Sequence, residues 1–322
     1  MTRILLALIV AVSTLGSTRA QAQDWPSRLV TIVVPYPAGG IADAVSRAIA
    51  NQMTSQISQP VIVENRTGAS GRIGLDQVLR SPPDGYTIAL AVPALLSLLP
   101  ITDVKYGDLD KQYTPITIAV ETYFGIAVNP KKTEATTFKD FFTSPKARSG
   151  QLSYGSAGTG TSYHFWAEAI LAEAGVAALH VPYRGEAPAT TDVLSGQVDF
   201  TLVTGAGKGL ADSGQIRILA VSARDSWDIF PNAPSLSSVG IKQAVAAGWL
   251  GFVGPAGMPK ELTAKLNAAI NAALKSPDVM KILSAQGYTV VASAPDAIAP
   301  VIAREQKIFG DLLKSGRVKL DP

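Results

Sequence analysis

Residues 29–57 read LVTIVVPYPAGGIADAVSRAIANQMTSQI and contain a whole strand, turn and helix. Residues 29–34 are apolar and largely β-branched and stop at Pro35, the pattern of a short buried strand. Two prolines and two glycines follow within residues 35–40, which reads as a turn. Beyond it Ile41, Ala44, Val45, Ala48, Ile49, Met53 and Ile57 recur at spacings of three and four, so one face of a helix is apolar. The theme returns along the chain. Strand-like segments are read at 60–64, 86–92, 124–128, 152–154, 179–182, 198–203 and 216–221, and helix-like ones at 162–174 and 187–194. Leu262, Leu266, Ile270 and Leu274 form a stripe behind Pro259, read as a first-turn proline, and a last helix is expected over 295–313. Strands alternating with helices predict an α/β protein with mostly parallel sheet.

Residues 1–22 read as a secretory leader. Arg3 precedes the unbroken apolar run 4–12, and Ala20-Gln21-Ala22 supplies the small residues a signal peptidase needs. That run is far shorter than the roughly 20 residues a membrane span takes. Cleavage near Ala22 predicts an exported chain that begins at Gln23 and is monomeric. The remaining part carries 26 basic and 25 acidic residues without a basic run, so nucleic acid is not an expected partner. Its length exceeds what one core usually serves, above about 250–300 residues, so two domains are expected. There is no Cys, so the exported chain folds without disulfides.

Chemistry has three places to sit. The turns Pro35–Asp43, Thr67–Gly74 and Tyr154–His164 each lead from a strand into a helix and each is glycine-rich. Glycine allows close approach of a ligand, and a helix start presents free N–H groups with about half a positive charge. One such turn is ordinary. Three, with hydroxyls at Ser70, Ser156, Thr159, Thr161 and Ser162, suggest a cleft lined with neutral donors. Competing motifs fail. The second turn spaces its glycines as GxxGxxG, Gly207-Lys208 lacks the flanking residues of a P-loop, and no GxSxG or HExxH occurs. Of the two histidines, His180 sits in a strand and is expected to be structural, whereas His164 starts a helix beside the third turn and is a candidate ligand group.

The segments VVPYPAGGIAD (33–43), VIVENRTGASGRIG (61–74), SPPDGYT (81–87), YGSAGTGTSYH (154–164), HVPYRGEAPATTDVLSGQVDF (180–200) and GPAGMPKELTAKLN (254–267) together resemble the Bug/TctC family, the periplasmic solute receptors of tripartite tricarboxylate transporters. The resemblance implies a type II periplasmic-binding-protein fold: two α/β domains joined by crossover strands and closing on a small carboxylate. It implies no catalysis and no cofactor or metal. The partners it implies are a small organic carboxylate and membrane permease subunits. Crossovers near 123–128 and 220–224 would place 23–122 and 226–322 in one domain and 123–225 in the other.

By matched position the resemblance implies ligand contacts from Tyr36, Ala38, Gly39, Gly40, Asp43, Gly68 and Ser70 in the first domain and Ser156, Thr159, Thr161 and His164 in the second. Asp43 either meets a ligand ammonium or ties down its own loop, the second being favoured. Two positions depart from the usual pattern. Ile41 stands where a small hydroxyl residue is common, and Arg72 adds a cation that can fork onto a carboxylate, so Arg72 joins the candidate contacts. With Tyr36, Leu95, Leu96, Tyr163 and Phe165 placed to border the cleft, an acid with an apolar or aromatic body is expected rather than citrate. Two rival roles use the same export: presenting a carboxylate to a membrane sensor kinase, and acting on it as a secreted enzyme.

Overall fold

β1 (Val30–Val34) buries all of its residues except Thr31, and it lies inside a sheet rather than at its edge. The computed structural model describes residues 25–244, 248–285 and 287–320, so the leader expected over 1–22 lies outside the described residues. These form eleven strands, continuing with β2 (Val61–Asn65), β3 (Thr87–Ala91), β4 (Tyr113–Thr122), β5 (Gly125–Val128), β6 (Leu152–Ser156), β7 (Ala178–Pro182), β8 (Phe200–Val203), β9 (Arg217–Val221), β10 (Gly248–Pro255) and β11 (Tyr288–Val290). The helices that matter below are α1 (Ile41–Ile57), α2 (Arg72–Leu79), α3 (Ser162–Glu173), α4 (Glu186–Ser195), α5 (Lys260–Leu274), α6 (Pro277–Ala285) and α7 (Ile298–Lys314).

Two sheets result. The first has the order β11-β4-β10-β3-β1-β2 and the second β7-β6-β8-β5-β9. In the first, β2, β1 and β3 are parallel, while β10 and β11 are antiparallel to their neighbours. In the second, β7, β6 and β8 are parallel and β5 is antiparallel to both β8 and β9. Each sheet is therefore mixed, with a parallel half. Only Tyr123 and Phe124 separate β4 in one sheet from β5 in the other.

The cores follow the sheets. Val30, Ile32, Val45, Ile49 and Met53 pack with Leu266, Ile270 and Phe252, which joins α1 and α5 to one face of the first sheet. Tyr154, Phe165, Ile170 and Phe200 belong to the core of the second. The return to the first sheet comes late. Trp227 and Phe230 pack with Val203, Ile216 and Val221, and Leu236, Ile241 and Ala244 join the core around Phe200. Residues 226–244, assigned to the first unit on sequence grounds, thus pack on the second sheet because their apolar side chains are buried there. α7 spans both: Ile298 and Ile302 pack with Leu95 and Trp249, whereas Phe309 and Leu312 pack with Phe165 and Trp166. Its start, residue 298, is preceded by one 3-10 turn at Pro295–Ala297, and Pro259 is the residue before α5 rather than within its first turn.

Candidate functional site

The three glycine-rich turns leave the carboxyl ends of β1, β2 and β6, the edge of a parallel sheet where ligands of open α/β folds bind. The two carboxyl edges meet. Pro93, just after β3, shares a cavity of about 140 Å³ with Ser162 and Tyr163 at the start of α3.

Asp43 organises the first turn. It is 4% exposed and accepts bonds from the Gly39 N–H at 3.0 Å, from Arg47 Nε at 3.0 Å and from Asn65 Nδ2 at 2.9 Å. The Arg47 guanidinium, with the Gly39 and Asn65 donors behind it, holds the Asp43 carboxyl at a pKa of about 2 against the effect of burial. All of these partners are the protein's own, so Asp43 is a clamp on its loop. Asn65 also donates to the Tyr36 carbonyl at 3.0 Å and accepts from Arg47 Nη2 at 2.9 Å, which binds the end of β2 to the first turn. Tyr36 turns its ring onto the core of the first sheet, where burial pushes its hydroxyl up to about 12. What remains outward is backbone. Ala38, Gly39 and Gly40 are exposed, Gly39 has φ +83°, and Gly40 precedes α1 without any side-chain cap. Among the described residues, the amides of Ile41, Ala42 and Asp43 have no backbone or side-chain acceptor.

The second turn is a run of positive φ through Gly68, Ala69, Ser70 and Gly71, with Gly68 and Ser70 exposed. Two non-glycine residues in this region carry strain of about 1 kcal/mol or more each, a cost found mostly at functional sites. A Cβ on Gly74 would stand 2.7 Å from the Arg66 carbonyl, so α2 packs onto the turn only because that position lacks a side chain. Arg72 has another partner. Its Nη1 lies 3.1 Å from Asp103 Oδ2, and its guanidinium is 6.0 Å from the Tyr106 ring. Arg72→Ala is therefore expected to change carboxylate affinity by less than about fivefold, since a half-exposed ion pair of this kind is worth about 0–1 kcal/mol. Calorimetry showing a loss of tenfold or more would return Arg72 to the ligand.

The third turn uses its side chains on itself. Ser156 Oγ lies 2.7 Å from His180 Nε2, accepts the Gly158 N–H at 3.1 Å and donates to the Gly158 carbonyl at 3.2 Å. Thr161 caps α3, accepting the His164 N–H at 3.4 Å and donating to Gly158 at 2.8 Å. His164 is 3% exposed, its Nδ1 accepts the Gly160 N–H at 3.1 Å, and its ring stacks on His180 at 3.8 Å. Burial and the neighbouring His180 push its pKa down to about 4, so it is neutral at pH 7. His164 holds its loop through Nδ1, and with that nitrogen accepting, the neutral ring carries its proton on Nε2 as a donor. Thr159 is half-buried with no hydrogen-bond partner for its hydroxyl among the described residues, and the amides of Thr159, Ser162 and Tyr163 likewise lack acceptors there.

The wall expected from Leu95, Leu96 and Phe165 does not face the cleft, because all three are at most 1% exposed in the cores. Ile41, 41% exposed, and Ile73, 54% exposed, are the apolar residues beside the first two turns. His180, expected to be structural, holds the third turn through Ser156, and three groups given no role above also stand here: Asn65 holds the first turn, Glu186 accepts from the Thr204 amide at 3.0 Å across the ends of β7 and β8, and Arg184 is exposed with no acidic partner among the described residues. A larger hollow of about 550 Å³ lies at the far edge strand β9, beside Thr137, Arg217 and Phe230, and none of the three turns borders it.

Residues 45–317 match the model of the tripartite tricarboxylate transporter family receptor. The chain belongs to that family. A relative encoded between tcbD and tcbE in Pseudomonas sp. (strain P51) is 34% identical over 98% of this chain and 94% of its own length. BugT of Bordetella pertussis is 30% identical over 99% of both. Among solved receptors, a TctC solute-binding protein from Polaromonas superposes with TM-score 0.80 at 28% identity, covering 90% of this chain and 99% of its own. An R. palustris protein with adipate gives 0.72 at 28% identity over 92% and 99% of the two chains. MatC from Rhodopseudomonas palustris, with bound malate, gives 0.69 at 25% over 90% and 100%. The fold is thus that of this family of periplasmic solute-binding receptors, two mixed α/β units. Among the described residues no helix is long and apolar enough to cross a membrane, and no group of three or more His, Cys, Asp or Glu is placed to hold a metal ion.

Proposed function

We propose that the protein is exported to the periplasm, after cleavage near Ala22, and there binds a small organic carboxylate for delivery to the membrane permease subunits of a tripartite tricarboxylate transporter. The observation that carries this reading is the set of amides without acceptors, Ile41, Ala42 and Asp43 on one side and Thr159, Ser162 and Tyr163 on the other. Helix starts of this kind attract anions, and a carboxylate bridging the two sides favours the closed arrangement by the contacts it makes only there. The moving units would be 25–122 with 248–302, and 123–244 with 309–320, turning about Tyr123 and Phe124 and the middle of α7. Relatives with adipate and malate support the ligand class. Release to a permease needs no more than micromolar affinity, about −8 kcal/mol.

A melting panel of small carboxylates tests this. An acid present at about 100 times its dissociation constant should add about 2.7 kcal/mol and raise the melting temperature by several degrees. Uniform failure of mono-, di- and tricarboxylates to shift melting would remove the reading.

A further inference from the structure

Tyr163 and Trp166 of α3 meet Phe124 from the crossover and Trp249 and Leu250 of β10 around the 140 Å³ cavity at the junction of the two sheets. Four of these five are aromatic, and Phe124 and Tyr163 pack edge to face at 6.2 Å. Apolar cavities of about 150 Å³ accept a benzene-sized group. Ser162 and Tyr163, whose amides lack acceptors, also line the cavity, so it is continuous with the proposed anion site. Neither indole offers this space a donor: Trp166 is 1% exposed and its Nε1 has no open surface, and the Trp249 indole donates to Glu305 at 3.2 Å. Glu186 stands near enough to Tyr163 to raise its hydroxyl pKa, after burial itself, so a second carboxylate there would meet a negative neighbour.

We propose that this cavity is the subsite for the ligand body: an aromatic ring or compact aliphatic group of about benzene size, uncharged and without a polar substituent. This rests on the carboxylate-receptor reading above and narrows it. The carboxylate lies on the loop amides and the body enters between the rings. Hydroxylated tricarboxylates are disfavoured because they would place charge against Phe124 and Leu250.

Calorimetry on the exported chain with acetate, benzoate, 3- and 4-hydroxybenzoate and malate provides the test. Benzoate should bind about 30–100-fold tighter than acetate, from the apolar area buried. 3- and 4-Hydroxybenzoate should bind no tighter than benzoate, since their hydroxyl would lose water without gaining a partner. L250F, which fills part of the cavity, should lower the benzoate to acetate ratio about tenfold. If malate binds while benzoate is no tighter than acetate, or if L250F leaves the ratio unchanged, the subsite is wrong and the receptor reading stands. If no acid of the broader melting panel binds, the receptor reading fails and the subsite falls with it.

Discussion

Asp43→Ala is expected to lower stability by about 2–3 kcal/mol and to weaken carboxylate binding by tenfold or more. The side chain gathers three donors, and removing it leaves the Gly39 amide without an acceptor and strips a bond each from Asn65, which keeps the Tyr36 carbonyl, and from Arg47, which keeps Asn65 Oδ1. Bonds to a charged group are worth about 1.5–3 kcal/mol apiece, but they do not add here. Arg47 is 48% exposed and rehydrates, so the total stays near the value of one or two bonds. For a domain of 150–250 residues that is a fall of about 5–10 °C in melting temperature. Affinity falls for a different reason. The amides of Ile41 and Ala42 are aimed by the turn, and the turn is fixed by Asp43 and Asn65, so binding must then order the loop as well. The clamp also has a pH signature. The folded carboxyl stays ionised down to about 2 while the unfolded one protonates near 3.8, so its contribution is complete above pH 3.8 and lost as pH falls toward 2. Urea unfolding of wild type and variant at pH 7, with calorimetry on the acid found by the melting panel, measures both effects. Weakened binding at unchanged stability would instead make Asp43 a contact for a ligand ammonium.

Much of this fold is legible because its buried strands are β-branched and end at turn residues, as β1 does at Pro35-Tyr36-Pro37. β4 and β10 are not, for opposite reasons. Pro115 sits inside β4 and reads as a breaker, yet it is tolerated at an irregularity where it faces Val253. β10 carries Gly248, Gly251 and Gly254 and reads as loop, yet a Cβ on Gly251 would stand 2.8 Å from the Thr117 carbonyl, so the glycine is what lets a central strand lie close. At the site, the glycine-rich turns announce themselves and the groups that hold them do not. His164 and His180 meet because Tyr154 pairs with His180 across β6 and β7, a register that spacing along the chain does not contain. Asn65 looks like the end of a strand until β1 and β2 are set side by side. Phe165 reads as a cleft residue from its position beside His164, but one helical step turns it into the core while Trp166 lines the cavity.

Glu305→Gln is expected to shift stability relative to wild type by about 3 kcal/mol between pH 4.5 and pH 7. Glu305 is 2% exposed on α7, bonded by Ser97 Oγ and by Trp249 Nε1 at 3.2 Å. Burial pushes its pKa from 4.5 up to about 7, with Glu121 adding to the rise and Ser97, Trp249 and Arg304 opposing it. The folded protein therefore keeps a proton that the unfolded chain releases. This contribution is complete below pH 4.5 and is lost as pH rises through 7, at about 1.4 kcal/mol for each tenfold difference in proton affinity between the folded and unfolded chain. Wild type alone will not display the slope. His164, held near a pKa of 4 when folded against 6.5 unfolded, makes stability rise with pH over part of the same range, and His180 is shifted the same way. The difference between the two proteins cancels the histidines and leaves the carboxyl. A glutamine retains an acceptor for Trp249 and a partner for Ser97 but has no proton to lose. Urea unfolding at half-unit steps from pH 4.5 to 8 should show the variant gaining on wild type throughout the rise and levelling above pH 7, and parallel curves would mean that Glu305 is ionised in the fold. The location gives the shift its consequence. Ile298 and Ile302 anchor α7 in the core of the first sheet and Phe309 and Leu312 in that of the second, so ionising Glu305 strains the segment of helix between the two units proposed to close on the ligand.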